Sequence, residues 1–277
     1  MTPDLVPADV AAALSAAGLP PVVFFTEVDS TNDHALSLAD LDAPEFTAVL
    51  ADVQRAGRGR RGRTWFSPPG AGMYLSVVVR GGGLEAQLPL LTMAAGVAVA
   101  DAVTAVSGLP VELKWPNDLV IGRPWRKLAG ILCEASALGT SKAAVVVGIG
   151  VNLDRAAYPR EVADRATSLA AECDLPVSRA DLVAACLVQL RARVADLRAS
   201  ETTTVLDRWR ALGRAGLDQA PVRWTDERGA CRGIAYGVDD RGALLVRRAG
   251  PVAHPRAGES LERLIAGDVE WELLSRV

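Results

Sequence analysis

The chain reads as an α+β protein, a mixed body of strands and helices followed by a small module of strands alone. Three observations lead there. Valine-rich runs of strand length alternate with longer, helically periodic apolar segments from Val22 to about Arg214. Beyond Gly216 only short strand-like runs separated by turn residues occur, which points to a separate β-barrel. Half of the 277 residues are apolar, enough for one large core and a smaller one. The boundary between the two units falls at residues 219 and 220.

In chain order, the Ala-rich stretch up to Pro20-Pro21 has room for one helix, and Val22 to Val28 is a strand ending at Asp29-Ser30-Thr31-Asn32. Met73 to Arg80 is a valine-rich strand. Leu88 to Val106 places Leu91, Ala95, Ala98, Ala102 and Val106 at helical spacing and stops at Gly108-Leu109-Pro110. Val111 to Trp115 and Val120-Ile121 are strands around Pro116-Asn117-Asp118, and Leu128 to Ala135 is another. Ala143 to Gly148 has almost no polar face and so suits the centre of a sheet. Helices follow from Ser178 to about Arg198, with Leu182, Cys186, Leu190, Val194 and Leu197 on one stripe, and from Glu201 to Arg214. In the module, Pro221 to Trp224, Ala230 to Val238 and Ala243 to Arg248 are strands, the last two joined by the turn Asp239-Asp240-Arg241-Gly242. Both Glu259-Ser260-Leu261-Glu262 and Gly267-Asp268-Val269, in the tail after His254, suit the last strand region, and the sequence does not choose between them.

A formal net charge of −3 argues against general nucleic-acid binding, which rests on phosphate neutralisation by a basic domain. The four cysteines show no Cys-x-x-Cys spacing and only two histidines accompany them, so neither a zinc site nor a disulfide framework is expected. No uninterrupted apolar run reaches membrane-span length, and Asp4 and Asp9 stand where a signal peptide carries positive charge. These features together predict a soluble cytoplasmic protein.

Positive charge is instead concentrated locally. Residues 54–65 hold five arginines and three glycines, with no carboxylate between Asp52 and Glu85. Glycines let such a loop curl and turn its N–H groups toward an anion, while guanidinium forks grip phosphate or carboxylate oxygens in pairs. Trp65 follows at once and offers a face for a nucleotide base. Taken alone, the segment fits a solvated turn or an RNA-binding Arg-Gly tract equally well.

Three further segments join it: Asp29-Ser30-Thr31-Asn32; Lys114-Trp115-Pro116-Asn117-Asp118 with Arg126-Lys127-Leu128-Ala129-Gly130; and Gly148-Ile149-Gly150-Val151-Asn152. In this order they closely resemble the biotin protein ligases, from about Val28 to the hairpin near Gly242. The resemblance implies a mixed-sheet, class II synthetase-like catalytic domain with an SH3-like C-terminal barrel. It also implies a two-step reaction: ATP adenylates the biotin carboxylate with release of pyrophosphate, and biotin then passes to a lysine of a biotin carboxyl carrier domain. Magnesium enters with ATP.

On this resemblance Ser30, Thr31, Asn32 and Gln54 meet the biotin ureido ring, with Gly57, Gly59, Gly130 and Gly148 where a side chain would crowd the ligand. Arg58, Arg60 and Lys127 mask the negative charges and touch both biotin and nucleotide. Arg61, Arg63, Trp65, Lys114, Asn117 and Asn152 complete the nucleotide side, and Asp118 receives or orients the acceptor ammonium. Taken without the resemblance, Ser30 to Asn32 would cap a helix, Asn117 and Asn152 would form turns, and His34 would be a helix-face histidine. The lengthened loop Gly122 to Trp125 departs from the family pattern, and Trp125 is either exposed or in contact with the acceptor.

Two other classes compete. Lipoate ligases and octanoyltransferases share the implied fold but resemble these motifs less, and a nucleic-acid-binding regulator would use the Arg-Gly loop. Some family members carry an N-terminal DNA-binding domain, for which the residues before Val22 are too few, so a monofunctional enzyme with no specific DNA and no membrane partner is expected. The sequence leaves monomer and homodimer open.

Overall fold

The computed structural model describes residues 2–81, 83–154, 158–213, 217, 219–227, 229–249, 261–265 and 269–271. Its body is a seven-stranded sheet in the order β1 (Val23–Val28), β2 (Ala48–Gln54), β3 (Gly72–Arg80), β7 (Ala144–Asn152), β6 (Arg126–Ser136), β5 (Asp118–Ile121) and β4 (Glu112–Lys114). β1 and β2 run parallel and every other neighbouring pair is antiparallel, so the sheet is mixed. The expected central strand is β7, fourth of seven. β2 was not anticipated from the sequence: its apolar run meets Asp52, which stays inside the sheet because Arg179 pairs with it and also donates to Ala51 O at 2.8 Å.

Helices α1 (Ala8–Ala16), α3 (Leu88–Ser107), α6 (Arg179–Arg198) and α7 (Thr202–Leu212) share the large core on one face of the sheet, and α2 (Thr31–Asp40) covers part of the other. Ser178 caps α6 by accepting from Asp181 N at 3.1 Å, and α3 ends on Gly108 at φ 71°, as its Gly-Leu-Pro punctuation predicts. No uninterrupted apolar run reaches membrane-span length, but one helix, its apolar run broken by Asp101, passes for a span on length and mean hydropathy. α3 has 20 residues and is long and apolar enough to cross a bilayer. It is, however, mostly buried, packed between the sheet, α6 and α7, with Asp101 paired to Arg208 and Thr104 and Ala105 exposed toward its C-terminal end, as a core helix of a folded domain is.

The alternation along β7 explains where the sheet can hold a ligand. Val145, Val147, Ile149 and Val151 point into the α3 core, while Ala144 and Val146 pack toward α2. On that second face the strand then continues as Gly148, Gly150 and Asn152, so this half of β7 presents no apolar side chain and leaves room above the sheet.

The small module is a five-stranded antiparallel sheet in the order β11 (Glu262–Leu264), β10 (Leu244–Arg248), β9 (Gly229–Val238), β8 (Pro221–Asp226) and β12 (Glu270–Trp271). Among the described residues this ladder keeps two edges, β11 and β12, and does not close into the expected barrel. Both tail segments contribute, on opposite edges: Glu262 opens β11, and Val269 precedes β12. Their other residues, Glu259, Ser260, Gly267 and Asp268, lie outside the described residues, as do His254 and Arg214.

His34, on α2, sits edge-on to Phe25 with ring centroids 4.5 Å apart, and burial holds its imidazole below the ordinary value. The unfolded chain therefore binds a proton more readily than the folded one, and stability falls as pH drops below about 6.5. Urea titrations at pH 7.5 and 5 should show a loss of midpoint at the lower pH that shrinks in His34→Gln.

Candidate active site

The open half of the sheet is the floor of a cavity of about 910 Å³. Every residue singled out from the sequence lines it except Gly57 and Arg61. Trp65 lies over the floor. A Cβ on Gly150 would stand 2.5 Å from its indole, one on Gly130 3.0 Å from the ring, and one on Gly148 2.2 Å from Asn32 Oδ1. These glycines thus make room for the protein's own Trp65 and Asn32, and all three also line the cavity. Gly57 is close-packed against Trp65 O, Ser67 Oγ and Gln54 Nε2 and accepts from Trp65 N at 2.8 Å, so it shapes the loop from behind.

One end of the cavity is polar but uncharged. Gln54 Oε1 accepts from Thr31 N at 2.9 Å and from Thr31 Oγ1 at 3.0 Å, while Gln54 Nε2 donates to Ser67 Oγ at 2.9 Å. Fully buried Ser76 Oγ lies 2.8 Å from Thr31 Oγ1 and 2.6 Å from Asn32 Oδ1. Ser30 does double duty, lining the cavity and capping α2 through Asp33 N at 3.3 Å. Fixed donors and acceptors of this kind suit a small neutral group with N–H and C=O edges. Ser76 and Ser67 escaped the sequence reading. The available signal was a lone serine within the apolar strand Met73 to Arg80.

The arginine loop, free of carboxylates in sequence, acquires them in space. Arg58 Nη2 pairs with Asp33 at 2.5 Å and with Glu134 at 2.7 Å, and Arg55 pairs with Asp29 at 2.8 Å and Glu27 at 3.3 Å. Glu134, from β6, also accepts from Asn32 Nδ2 at 2.7 Å and so ties the neutral end to the loop. The loop closes on itself through Gly59 N to Arg63 O at 2.7 Å and a bridge between Arg58 and Thr64. Arg60 Nη1 donates to Asn117 Oδ1 at 3.3 Å. Arg61 adopts a left-handed backbone at φ 57° on the exposed outside of the turn.

The other end is cationic. Lys127 Nζ pairs with Asp118 Oδ1 at 2.6 Å and stands 5.3 Å from the centre of the Trp65 ring. Its backbone is clamped by the segment after α4 (Arg160–Ala163): Lys127 N donates to Arg165 O at 2.6 Å, and Lys127 O accepts from Thr167 N at 2.9 Å. Asn152 Nδ2 reinforces the clamp by donating to Thr167 O at 2.8 Å and Lys127 O at 3.3 Å, and Asn117 Nδ2 donates to Ile131 O at 2.8 Å. Both amide nitrogens are therefore engaged with backbone. Burial pushes the Lys114 ammonium below its ordinary pKa; Asp118 opposes this, while Lys127, Arg165 and Arg63 add to it, so three further cations face one carboxylate.

Several cavity residues lie outside the motifs. Trp125, from the lengthened β5–β6 loop, lines the cavity with Arg123 4.5 Å over its ring, and Phe66 meets Tyr158 at 6.4 Å. The indole nitrogens of Trp65 and Trp125 and the Tyr158 hydroxyl are buried with no hydrogen-bond partner among the described residues. A cavity with a neutral polar pocket on one part of its wall and Lys127, Lys114 and arginines on another suits an acid whose distant head group is uncharged, brought to a nucleotide phosphate.

Comparisons with known proteins agree with this geometry. Residues 24–152 match the biotin/lipoate A/B protein ligase family, and residues 220–271 match the biotin protein ligase C-terminal domain. The bifunctional ligase/repressor BirA of Bacillus subtilis is 32% identical over 253 residues, covering 90% of this chain and 73% of the relative. The biotin–[acetyl-CoA-carboxylase] ligase of Paracoccus denitrificans is 37% identical over 231 residues, covering 79% of this chain and 91% of the relative. Among solved structures, the biotin protein ligase of Aquifex aeolicus in complex with biotin and ATP superposes with a TM-score of 0.74 at 26% identity, over 91% of this chain and 99% of that one. The chain belongs to the biotin protein ligase family.

Proposed function

We infer that the protein is an ATP-dependent biotin protein ligase whose chemistry centres on Lys127. A biotin carboxylate oxygen attacks the α-phosphorus of ATP, the bond to the bridging oxygen breaks, and pyrophosphate leaves, giving biotinyl-5'-AMP. The neutral amine of an acceptor lysine then attacks the acyl carbon; AMP leaves with the electron pair and the amine gives up a proton. The partner is a biotin carboxyl carrier domain of a carboxylase.

The observation that carries this reading is that the Lys127 ammonium, paired with Asp118 and beside the Trp65 ring, lines the same cavity as the neutral cluster of Thr31, Asn32 and Gln54. An acid whose head group fills the neutral pocket directs its carboxylate to that ammonium, and the ammonium offsets the repulsion between carboxylate and α-phosphate. Arg60, Arg63 and Lys114 hold the phosphates, the indole of Trp65 flanks the bound adenylate, and Asp118 faces the incoming amine. Arg58 contributes less net charge than the sequence suggests, because Asp33 and Glu134 already compensate it. Magnesium arrives with the triphosphate as part of the substrate. Use of ATP together with four free cysteines supports a cytoplasmic setting.

Biotin-dependent exchange of labelled pyrophosphate into ATP tests the assignment. Exchange with biotin and none with lipoate or octanoate is expected; exchange with lipoate instead would move the protein to the lipoate branch. On this reading the arginine loop closes over the bound adenylate. Hydrogen exchange across Arg55 to Trp65 should slow when biotin and ATP are added together, and an unchanged rate would remove the closing role.

A further inference from the structure

Trp115 has no part in the chemistry above, although Lys114, Asn117 and Asp118 surround it in sequence. It is 2% exposed, and its indole N–H donates to the carbonyl of Gly242 at 3.0 Å, across 127 residues of chain. Gly242 sits at the tip of the β9–β10 hairpin of the small module, with φ 79° and no room for a side chain: a Cβ there would stand 2.7 Å from Met93 Sδ on α3. The tip is stiff. Asp239 Oδ1 accepts from Arg241 N and Ala243 N, both at 2.9 Å, Oδ2 accepts from Arg263 Nε at 2.5 Å, and Asp239 N donates to Ala243 O at 3.0 Å.

We propose that the small module is a fixed stop for the nucleotide side of the active site, with the Gly242 carbonyl setting the position of Trp115 and, through it, of Lys114, Asn117 and Asp118. Trp115 is then a positioning residue, and the turn pinned by Asp239 is part of the same device. Donor and acceptor are both out of water, so losing the bond strands two polar groups and frees the segment to shift. Shifts of an ångström at groups that orient substrate are costly in rate. The neutral pocket stands on α2 and β2 and does not depend on this contact.

The inference rests on the ligase reading, and its test separates the two. Trp115→Phe keeps an aromatic ring but loses the N–H donor together with the rest of the pyrrole ring of a buried, cavity-lining side chain, whereas Asp239→Ala loosens the turn without touching the cavity. Each should leave biotin affinity within about twofold and lower kcat for adenylation about tenfold. The double variant should be no slower than the worse single one, since both break one linkage. Hydrogen exchange at Lys114 to Leu119 should rise in both variants while that of α2 stays unchanged, a readout independent of any reaction. Unaltered exchange at Lys114 to Leu119, wild-type adenylation in Trp115→Phe, or losses that multiply in the double variant would overturn the proposal. Absence of biotin-dependent pyrophosphate exchange in the unsubstituted protein would instead sink the ligase reading, leaving the exchange measurement to judge the stop.

Discussion

Lys127→Met is expected to slow biotinyl-adenylate formation by about a thousandfold while leaving biotin affinity within a few-fold. A carboxylate and a phosphate oxygen about 4 Å apart repel by about 4 kcal/mol at an effective dielectric constant of about 20, and each 1.36 kcal/mol is a factor of about ten in rate. Methionine keeps the length and apolar stem of the side chain and removes only the charge. The clamp on the Lys127 backbone, from Arg165, Thr167 and Asn152, does not depend on the side chain, so the strand should stay in place. Lys114, Arg63 and Arg165 remain to bind phosphates, which is why the loss belongs in kcat for adenylation more than in the KM for ATP. Single-turnover adenylation measured beside biotin binding decides the matter. A loss under about tenfold would show that the arginine loop, not Lys127, carries the charge masking.

The second large effect concerns transfer. Asp118→Asn should leave adenylation within about fivefold of normal and slow biotin transfer to the carrier lysine by about a hundredfold or more. With a reference pKa near 10.4, fewer than about one acceptor lysine in a thousand is neutral at pH 7, and an asparagine can neither take its proton nor attract its ammonium. Lys127 loses an ion-pair partner at 2.6 Å in this variant but keeps its charge, so the first step retains its main electrostatic support. The deficit should narrow as pH rises, because the acceptor then deprotonates without help. Equal losses in both half-reactions, or a deficit indifferent to pH, would return Asp118 to a structural role as the partner that orients Lys127.

Much of the site was readable along the chain because its parts are short and local. The arginine loop, the Lys-Trp-Pro-Asn-Asp turn and the Gly-Ile-Gly-Val-Asn strand end each present their polar or small residues within a few positions, where backbone preference and turn chemistry act. The Ser178 cap and the α3 stop at Gly108 belong to the same kind of information. Glu134 does not: it meets Arg58 from 76 residues away because β6 lies beside β7 and opposite the start of α2. Ser76 looks like a flaw in an apolar strand until Thr31 and Asn32 are set beside it.

Pattern and composition were therefore enough to establish most strands and helices of the body, though not β2, together with the separate β module and the cationic character of the loop, since these depend on dihedral preference, burial and charge within a dozen residues. Three matters were settled only when distant segments met. The loop arginines found carboxylates, the glycines of β6 and β7 proved to make room for Trp65 and Asn32, and the module docked its Gly242 carbonyl onto Trp115. Each depends on the order of strands in the sheet, and no stretch of sequence encodes which groups that order will bring within 3 Å of one another.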